Sequence, residues 1–301
     1  MRCDDTDQLL RIYVNARTHF SEGGPQRVRY TMPPLVICAL ALTRKVRARE
    51  LGAAADPPTA DAPQYSSKKI LLYILEIIDV VIKAGYAEDA LQLYLLAAKA
   101  ADECGLSKIA YEFFKEAPII YEEDIIDSKK QVRALTAMVG TLTTCKNFDE
   151  EQYDILSTKL GQYSNKLLKK PDQCRMISLC SHLFWPPAEA DGTNRFADQE
   201  AVSCKALECM KRAIKVIKDK NLPSSVVEVL SRYIYHLEHT TPLFEAKYLS
   251  GLVAFINEEF GADLANSPAI ENFYRNTVAY IRLKQGDSNT EVAERFCSIE
   301  L

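Results

Sequence analysis

The sequence has none of the short motifs that commonly mark an enzyme active site. It contains no G-x-x-x-x-G-K-[ST] or G-x-G-x-x-G phosphate loop, no H-E-x-x-H zinc motif and no G-x-S-x-G nucleophile turn. Histidine is scarce, with four in 301 residues, and only His236 and His239 lie close together. Two imidazoles without a third protein ligand indicate zinc weakly, and a solvated helix end explains them better. We therefore predict no catalytic site, no metal site and no cofactor.

Cysteine is present but never as a C-x-x-C pair. The nine cysteines mostly fall inside apolar helical patterns, at positions 3, 38, 104, 145, 174, 180, 204, 209 and 297. An odd, unclustered set is typical of reduced thiols in the cytoplasm, rather than of a disulfide framework or a zinc site. The first seven residues also lack the basic and apolar regions of a secretory signal.

Long apolar runs and an excess of positive charge are also missing. The longest apolar segment, 70–82, is interrupted by Glu76 and Asp79, which makes it too short and too polar to span a bilayer. The formal net charge of −4 argues against a sequence-independent nucleic-acid binder, which needs a basic field. Any membrane association is therefore predicted to be peripheral or through partners.

Apolar residues recur with helical spacing along most of the chain. Ile70, Ile74, Ile77, Ile78 and Val81, for example, form one stripe. Similar stripes separated by short turns follow, and no convincing period-2 strand occurs. This pattern predicts an all-α fold and fits antiparallel helix pairs stacked in series, while the lack of a strict sequence repeat leaves the choice between a bundle and a solenoid open.

Proline, glycine and acidic residues predict where the helices are interrupted. Pro33 and Pro34 suit the first turn of a helix, so they predict that the second helix begins there. The stretches at about 52–67 and 186–198 predict flexible loops, and 285–301 predicts a disordered tail. We otherwise expect one solenoid domain over residues 1–301.

An acidic cluster occurs in the sequence YEEDIIDSKKQ. Its carboxylates are Glu122, Glu123, Asp124 and Asp127. Asp127 or Ser128 suits the N-cap of the following helix, where a carboxylate also meets the positive end of the helix dipole. Capping in a solvated turn and an acidic docking patch both account for the cluster.

A basic cluster occurs in the sequence NKLLKKPDQ. Lys166, Lys169 and Lys170 have i, i+3, i+4 spacing, which predicts that they project from one face of a helix that Pro171 helps to stop. Cations at a helix C-terminus are locally favourable, and this alone explains them. A basic patch opposite an acidic one also suits a self-complementary contact.

The segment SHLFWPP, residues 181–187, combines His182, Phe184 and the only tryptophan, Trp185. It lies at the predicted end of a helix, just before a loop. Aromatic side chains at this position either fill the core between helices or anchor a protein interface.

Five blocks of the sequence resemble the retromer large-subunit family, in the family's order. They lie at 16–36 (ARTHFSEGGPQRVRYTMPPLV), 91–106 (LQLYLLAAKAADECGL), 110–131 (AYEFFKEAPIIYEEDIIDSKKQ), 165–185 (NKLLKKPDQCRMISLCSHLFW) and 208–218 with 227–239 (ECMKRAIKVIK and VEVLSRYIYHLEH). The resemblance implies an α-solenoid of antiparallel helical hairpins, a HEAT-like superhelix, and within it the C-terminal portion. It implies that this portion wraps a small subunit with a metallophosphoesterase-like fold, vacuolar protein sorting-associated protein 29. It also implies a non-catalytic coat scaffold for retrieval of transmembrane cargo from endosomes to the Golgi and the cell surface.

The resemblance also implies sites for two partners. His182 matches a family position at the small-subunit interface, with Phe184 and Trp185 as supporting contacts. For the contact between two copies of the large subunit, the resemblance implies the following charged residues: Glu122, Glu123, Asp124, Asp127, Lys166, Lys169 and Lys170. At 126 the family pattern has a polar residue where this chain has isoleucine, so local detail is expected to differ.

The resemblance also implies where the protein is located in the cell and which partners are not expected to bind it. The family implies a cytoplasmic protein, peripheral on endosomal membranes through sorting nexins, without nucleic acid. LQLYL at 91–95 superficially resembles the family's P-R-L-Y-L signature for an arrestin-like subunit, but it lacks Pro-Arg, so we do not expect that subunit to bind here. The alternative is a diverged helical-repeat adaptor of another vesicle coat or protein complex.

Overall fold

The computed structural model describes residues 5–53, 64–185, 199–220, 222–239, 241–287 and 290–301. Within these residues every regular element is a helix and no strand occurs. The helices are α1 (Thr6–Ser21), α2 (Pro25–Ala53), α3 (Ser67–Lys83), α4 (Ala87–Glu103), α5 (Ser107–Glu123), α6 (Ser128–Thr144), α7 (Glu150–Lys166), α8 (Lys170–Phe184), α9 (Gln199–Lys220), α10 (Pro223–Glu238), α11 (Ala246–Ala265), α12 (Pro268–Gln285) and α13 (Thr290–Cys297). Most of them pack against the next helix along the chain, so the predicted all-α, solenoid-type fold is confirmed.

The chain divides into two compact units, Met1–Leu156 and Ser157–Leu301. In unit 1 the predicted stripe of α3 is fully buried, from Ile70 to Val81, and packs with apolar residues of α2 and α4. In unit 2 the core is formed chiefly by α8 to α11, with Phe296 of α13 added to it. Whether the two units form the single domain expected for residues 1–301 stays a prediction.

Two glycines with positive φ end helices in unit 1 and allow short turns. Gly85 has φ of 85° and Gly105 has φ of 68°. Beside Gly85, the N–H of Tyr86 donates to the carbonyl of Val81 at 3.2 Å, which satisfies an end-of-helix acceptor. These turns bring α4 back against α3, and α5 against α4.

The second helix begins earlier than the prolines predicted. It starts at Pro25 and carries Pro33 and Pro34 in its interior. Each of these prolines removes one helical hydrogen bond. The helix continues through them because Val28, Met32 and Val36, at i, i+4 and i+8, form one buried stripe.

The predicted loops and tail have different outcomes. Residues 54–63 and 186–198, which make up most of the two expected loops, lie outside the described residues. The expected disordered tail at 285–301 instead contains α13. This helix is held in place because Phe296 is buried in the core of unit 2 and Gln285 donates to the carbonyls of Phe296 and Ile299, at 3.1 and 3.0 Å.

Candidate functional site

The acidic cluster lies in the connection between α5 and α6, and we call residues 122–127 the acidic connection. Helix α5 ends at Glu123 with Asp124 as its C-cap. Glu122, Glu123, Asp124 and Asp127 are all exposed. The first three lie at the C-terminal end of a helix, where the helix dipole disfavours negative charge.

Asp127 is the carboxylate of this connection that stabilises a helix. Its Oδ1 accepts the backbone N–H groups of Lys129 and Lys130, both at 3.0 Å, and so caps the start of α6. These hydrogen bonds, that of Lys130 above all, lower the pKa of the Asp127 carboxyl. The capping interpretation is therefore confirmed for Asp127, and it does not extend to Glu122, Glu123 or Asp124.

The basic cluster lies in the connection between α7 and α8, and we call residues 166–170 the basic connection. The prediction that its three lysines share one helical face is wrong, because α7 ends at Lys166 and α8 begins at Lys170. Pro171 lies in the first turn of α8 rather than stopping α7, since its fixed φ and missing N–H suit that position. All three lysines are nevertheless exposed.

The helix boundaries change how two of the lysines interact with the helix dipoles. Lys166 lies at a helix C-terminus, where a cation is favourable. Lys169 and Lys170 lie at the N-terminal end of α8, where the dipole disfavours them, and Lys169 makes no side-chain hydrogen bond as N-cap. Stabilisation of the helix therefore does not explain Lys169, whereas Lys170 donates its Nζ to Gln173 Oε1 of the same helix at 2.9 Å.

The third predicted site, at the C-terminal end of α8, lies in a cluster of aromatic and imidazole rings within unit 2. The ring of His182 is 4.6 Å from that of Tyr235, edge to face, and stacks on His236 at 5.2 Å. His239 stacks on Tyr235 at 4.0 Å, and Phe244 stacks on His236 at 4.5 Å. We call these five residues the histidine cluster.

Buried hydrogen bonds hold the inner part of the histidine cluster. His236 is fully buried, with its Nε2 2.8 Å from Ser181 Oγ and its Nδ1 3.4 Å from Thr241 Oγ1. Burial lowers the pKa of His236 well below its usual range. Burial, followed by the nearby charge of Arg232, lowers the pKa of His182 to about 4. Both rings are therefore neutral at pH 7.

The three predicted small-subunit contacts differ in how much surface they offer. Trp185 is only 5% exposed, and its Nε1–H donates to the carbonyl of His239 at 3.3 Å, so it fills the core and supports the cluster. His182 and Phe184 are half-buried and keep an exposed edge. Lys205 lies 5.9 Å above the Phe184 ring.

Sequence reasoning missed that Tyr235 and His236 belong to the same site as His182. The pair His236 and His239 was interpreted as a solvated helix end, and this is wrong for His236, whose side chain is fully buried. Their i, i+3 spacing does place them on one side of α10, but no local signal shows that α8 packs against that side. Within the described residues, no group of three or more histidine, cysteine or acidic side chains is arranged to hold a metal ion. None of the described helices is long and apolar enough to cross a membrane.

Within the described residues the fold is all-helical and of the solenoid type. The family model described as vacuolar protein sorting-associated protein 35 matches residues 1–259. The chain therefore belongs to the vacuolar protein sorting-associated protein 35 family, and the predicted family is confirmed.

Similar proteins cover nearly all of this chain. Vacuolar protein sorting-associated protein 35A of Arabidopsis thaliana is 33% identical over 99% of the chain and 37% of its own length. The 35B protein of the same plant is 35% identical over 93% of the chain and 35% of its own length. Vacuolar protein sorting-associated protein 35 of Dictyostelium discoideum is 30% identical over 93% of the chain and 35% of its own length. The chain thus spans about a third of the length of these relatives.

Proposed function

We propose that this chain is a non-catalytic scaffold subunit of the retromer coat, which binds a phosphoesterase-fold small subunit and a second copy of itself. Family membership supports the general role in vacuolar protein sorting. The observation that carries small-subunit binding is the exposed edge of His182 at the end of α8, held by the histidine cluster.

The histidine cluster has the physical properties of a binding anchor. Its rings are fixed by stacking and by buried hydrogen bonds, so little conformational entropy is lost when a partner docks. His182 is neutral, which lowers the cost of removing it from water. Phe184, two residues further on, adds an exposed apolar edge that a partner covers.

The test is binding of the phosphoesterase-fold subunit, measured by calorimetry or pull-down. His182→Arg should abolish binding, because it places a bulky, permanent cation in a packed contact and close to Arg232. Phe184→Ser should weaken binding about tenfold while disturbing the cluster less. His19→Arg, at an exposed histidine in unit 1, is the matched control and should bind like the unmodified chain.

The outcomes separate the proposal from its alternative. Unchanged affinity of both folded variants would refute the role of this edge. Failure of the folded, unmodified chain to bind the subunit would favour the alternative, a diverged helical-repeat adaptor of another vesicle coat or complex. Circular dichroism and the fluorescence of Trp185 report folding independently.

The wider role follows from the same proposal. The chain acts in the cytoplasm, reaches endosomal membranes through sorting nexins, and supports retrieval of transmembrane cargo to the Golgi and the cell surface. Binding of the arrestin-like subunit is not expected for this stretch. Imaging of the tagged chain with an endosomal marker tests the location, and loss of the endosomal signal on removal of sorting nexins tests the route.

Self-association is the second proposed interaction, and the position of the charges supports it. Glu122, Glu123 and Asp124, like Lys169 and Lys170, lie at helix ends whose dipoles disfavour them. The acidic connection of one copy and the basic connection of another are complementary in sign.

A paired charge reversal tests this contact. One variant carries Glu122→Lys, Glu123→Lys and Asp124→Lys, and the other carries Lys166→Glu, Lys169→Glu and Lys170→Glu. Each variant alone should fail to self-associate, because like charges then face each other. An equal mixture should form heterodimers, since every contact between the two variants again joins opposite charges. Absence of heterodimers, or dimerisation of the unmodified chain that does not respond to salt, would contradict the charged contact.

A further inference from the structure

Each charged connection carries a large apolar side chain that points into solvent. Ile126 is 87% exposed and Leu168 is 84% exposed, which makes them the two most exposed large apolar residues in the described part of the chain. Their immediate neighbours are in the core, with Ile125 at 4% and Leu167 at 5% exposure. Both connections therefore contain a pair of adjacent apolar residues, one facing inward and one facing outward.

The outward side chains are fixed in this orientation rather than loosely exposed. In the acidic connection, Gln131 of α6 donates its side-chain amide to the carbonyl of Ile125 at 3.0 Å. In the basic connection, Gln173 of α8 donates its side-chain amide to the carbonyl of Asn165. Burial of Ile126 or Leu168 within the chain would require Ile125 or Leu167 to leave the core, so exposure is the stable arrangement.

The surroundings of the two side chains identify the partner. Ile126 is flanked by Asp124 and Asp127, whereas Leu168 is flanked by Lys166 and Lys169. An exposed apolar residue whose nearest charged neighbours in sequence have one sign favours a partner with an apolar residue beside the opposite charge. The other connection of this chain has that chemistry, so a second copy of the chain is the partner that fits.

We propose that Ile126 of one copy packs against Leu168 of a second copy, as the apolar centre of the charged self-association contact. This inference rests on the proposed self-association and names the residues that give it salt-insensitive affinity. The charges around the centre steer and orient the two copies, and they exclude water once contact forms. The apolar pair supplies an attraction that salt does not screen.

The experiment is sedimentation velocity of the whole chain over a range of concentrations, at low and at high salt. Leu168→Ser and Ile126→Ser should each weaken self-association about tenfold at both salt concentrations. The double variant should weaken self-association by much less than the product of the two single effects, because both substitutions remove the same contact. Leu283→Ser, at a residue of α12 that is 67% exposed, is the matched control and should leave self-association unchanged.

The outcomes distinguish this inference from the function on which it rests. If the charge-reversal variants lose self-association while Leu168→Ser and Ile126→Ser retain it, the apolar centre is wrong and the charged contact stands. If the two serine variants weaken association no more than Leu283→Ser, the apolar centre is equally wrong. If the unmodified chain does not self-associate at any salt concentration, both the contact and its apolar centre are wrong.

Discussion

The acidic and basic connections are built alike but carry opposite charge. Each joins two helices through an inward and an outward apolar residue, Ile125 with Ile126 and Leu167 with Leu168. In each, the fourth residue of the following helix is a glutamine that donates its side-chain amide to a backbone carbonyl N-terminal to that helix. The same local construction therefore presents two surfaces of opposite sign, one in unit 1 and one in unit 2.

The connections differ in how the following helix begins. Asp127 caps α6, so in the acidic connection one charge serves both the helix and the surface. Lys169 occupies the N-cap of α8 without a side-chain hydrogen bond, in the field of the positive helix end. The cation at the N-cap of α8 therefore opposes the helix dipole, whereas the carboxylate at the N-cap of α6 is stabilised by it.

The largest expected effect on stability comes from truncating the inward apolar residue of each connection. Leu167→Ala and Ile125→Ala should each lower the free energy of unfolding by about 2–4 kcal/mol, because each leaves a cavity in the core. Leu168→Ala and Ile126→Ala should change it by less than about 0.5 kcal/mol, because these side chains are in solvent. Urea unfolding followed by Trp185 fluorescence reports unit 2, and circular dichroism reports both units. Equal effects at adjacent positions would contradict the inward and outward assignment.

Acidification should lower the stability of unit 2 more than that of unit 1. His182 titrates at about 4 in the folded chain because of burial and Arg232, whereas an unfolded histidine titrates near 6.5. The folded state therefore binds fewer protons between these values, so the stability of unit 2 falls as the pH drops through this window. We expect His182 alone to contribute a loss of about 2 kcal/mol between about pH 7 and 5, and His236, whose pKa burial also lowers, to add a loss of the same sign, measured by urea unfolding with Trp185 fluorescence.

The control for this pH response is His182→Gln, which removes the titrating group and keeps a neutral polar side chain. The variant should lose about half of the difference in stability between the two pH values, because His236, whose pKa burial also lowers, still titrates on unfolding. His19, the only histidine of unit 1, is exposed, and His19→Gln should leave the difference intact. A full pH response in His182→Gln would assign the titration to another group.

The two glutamines should show a smaller effect of the same sign. Gln173→Ala should lower the free energy of unfolding by about 1–2 kcal/mol, because Gln173 is buried and the carbonyl of Asn165 loses its donor. Gln131→Ala should cost about 1 kcal/mol or less, because Gln131 is only half-buried and water replaces its hydrogen bond more readily. Urea unfolding of both variants checks the order, and a larger loss for Gln131→Ala would reverse the comparison.

The smallest expected effect is a gain in stability. It tests whether the two connections differ at the N-cap of the following helix. Lys169→Ser should raise the free energy of unfolding by about 0.5–1 kcal/mol, because serine caps α8 and removes a cation from its positive end. The same variant should weaken self-association. Thermal unfolding and sedimentation measure the two quantities on one sample. A variant that is less stable yet associates normally would show that Lys169 serves the fold.

Much of the fold was predictable because it depends on local periodicity. The α3 stripe is buried as predicted, and Asp127 caps α6 as its residue type suggested. Helix boundaries at prolines were not predictable in the same way. Pro33 and Pro34 lie inside α2, whereas Pro171 lies in the first turn of α8, because the choice depends on whether the flanking apolar residues find a core to bury in.

The amino-acid sequence by itself determined that the chain is helical and which residues carry charge, since helical spacing and residue type are local properties. Only the tertiary structure decided that Ile125 and Leu167 face the core while Ile126 and Leu168 face solvent. Only the packing of α8 against α10 joined His182 to Tyr235 and His236 and made its imidazole neutral. The physical reason is that burial, ring stacking and desolvation depend on residues distant in sequence, which no local pattern specifies.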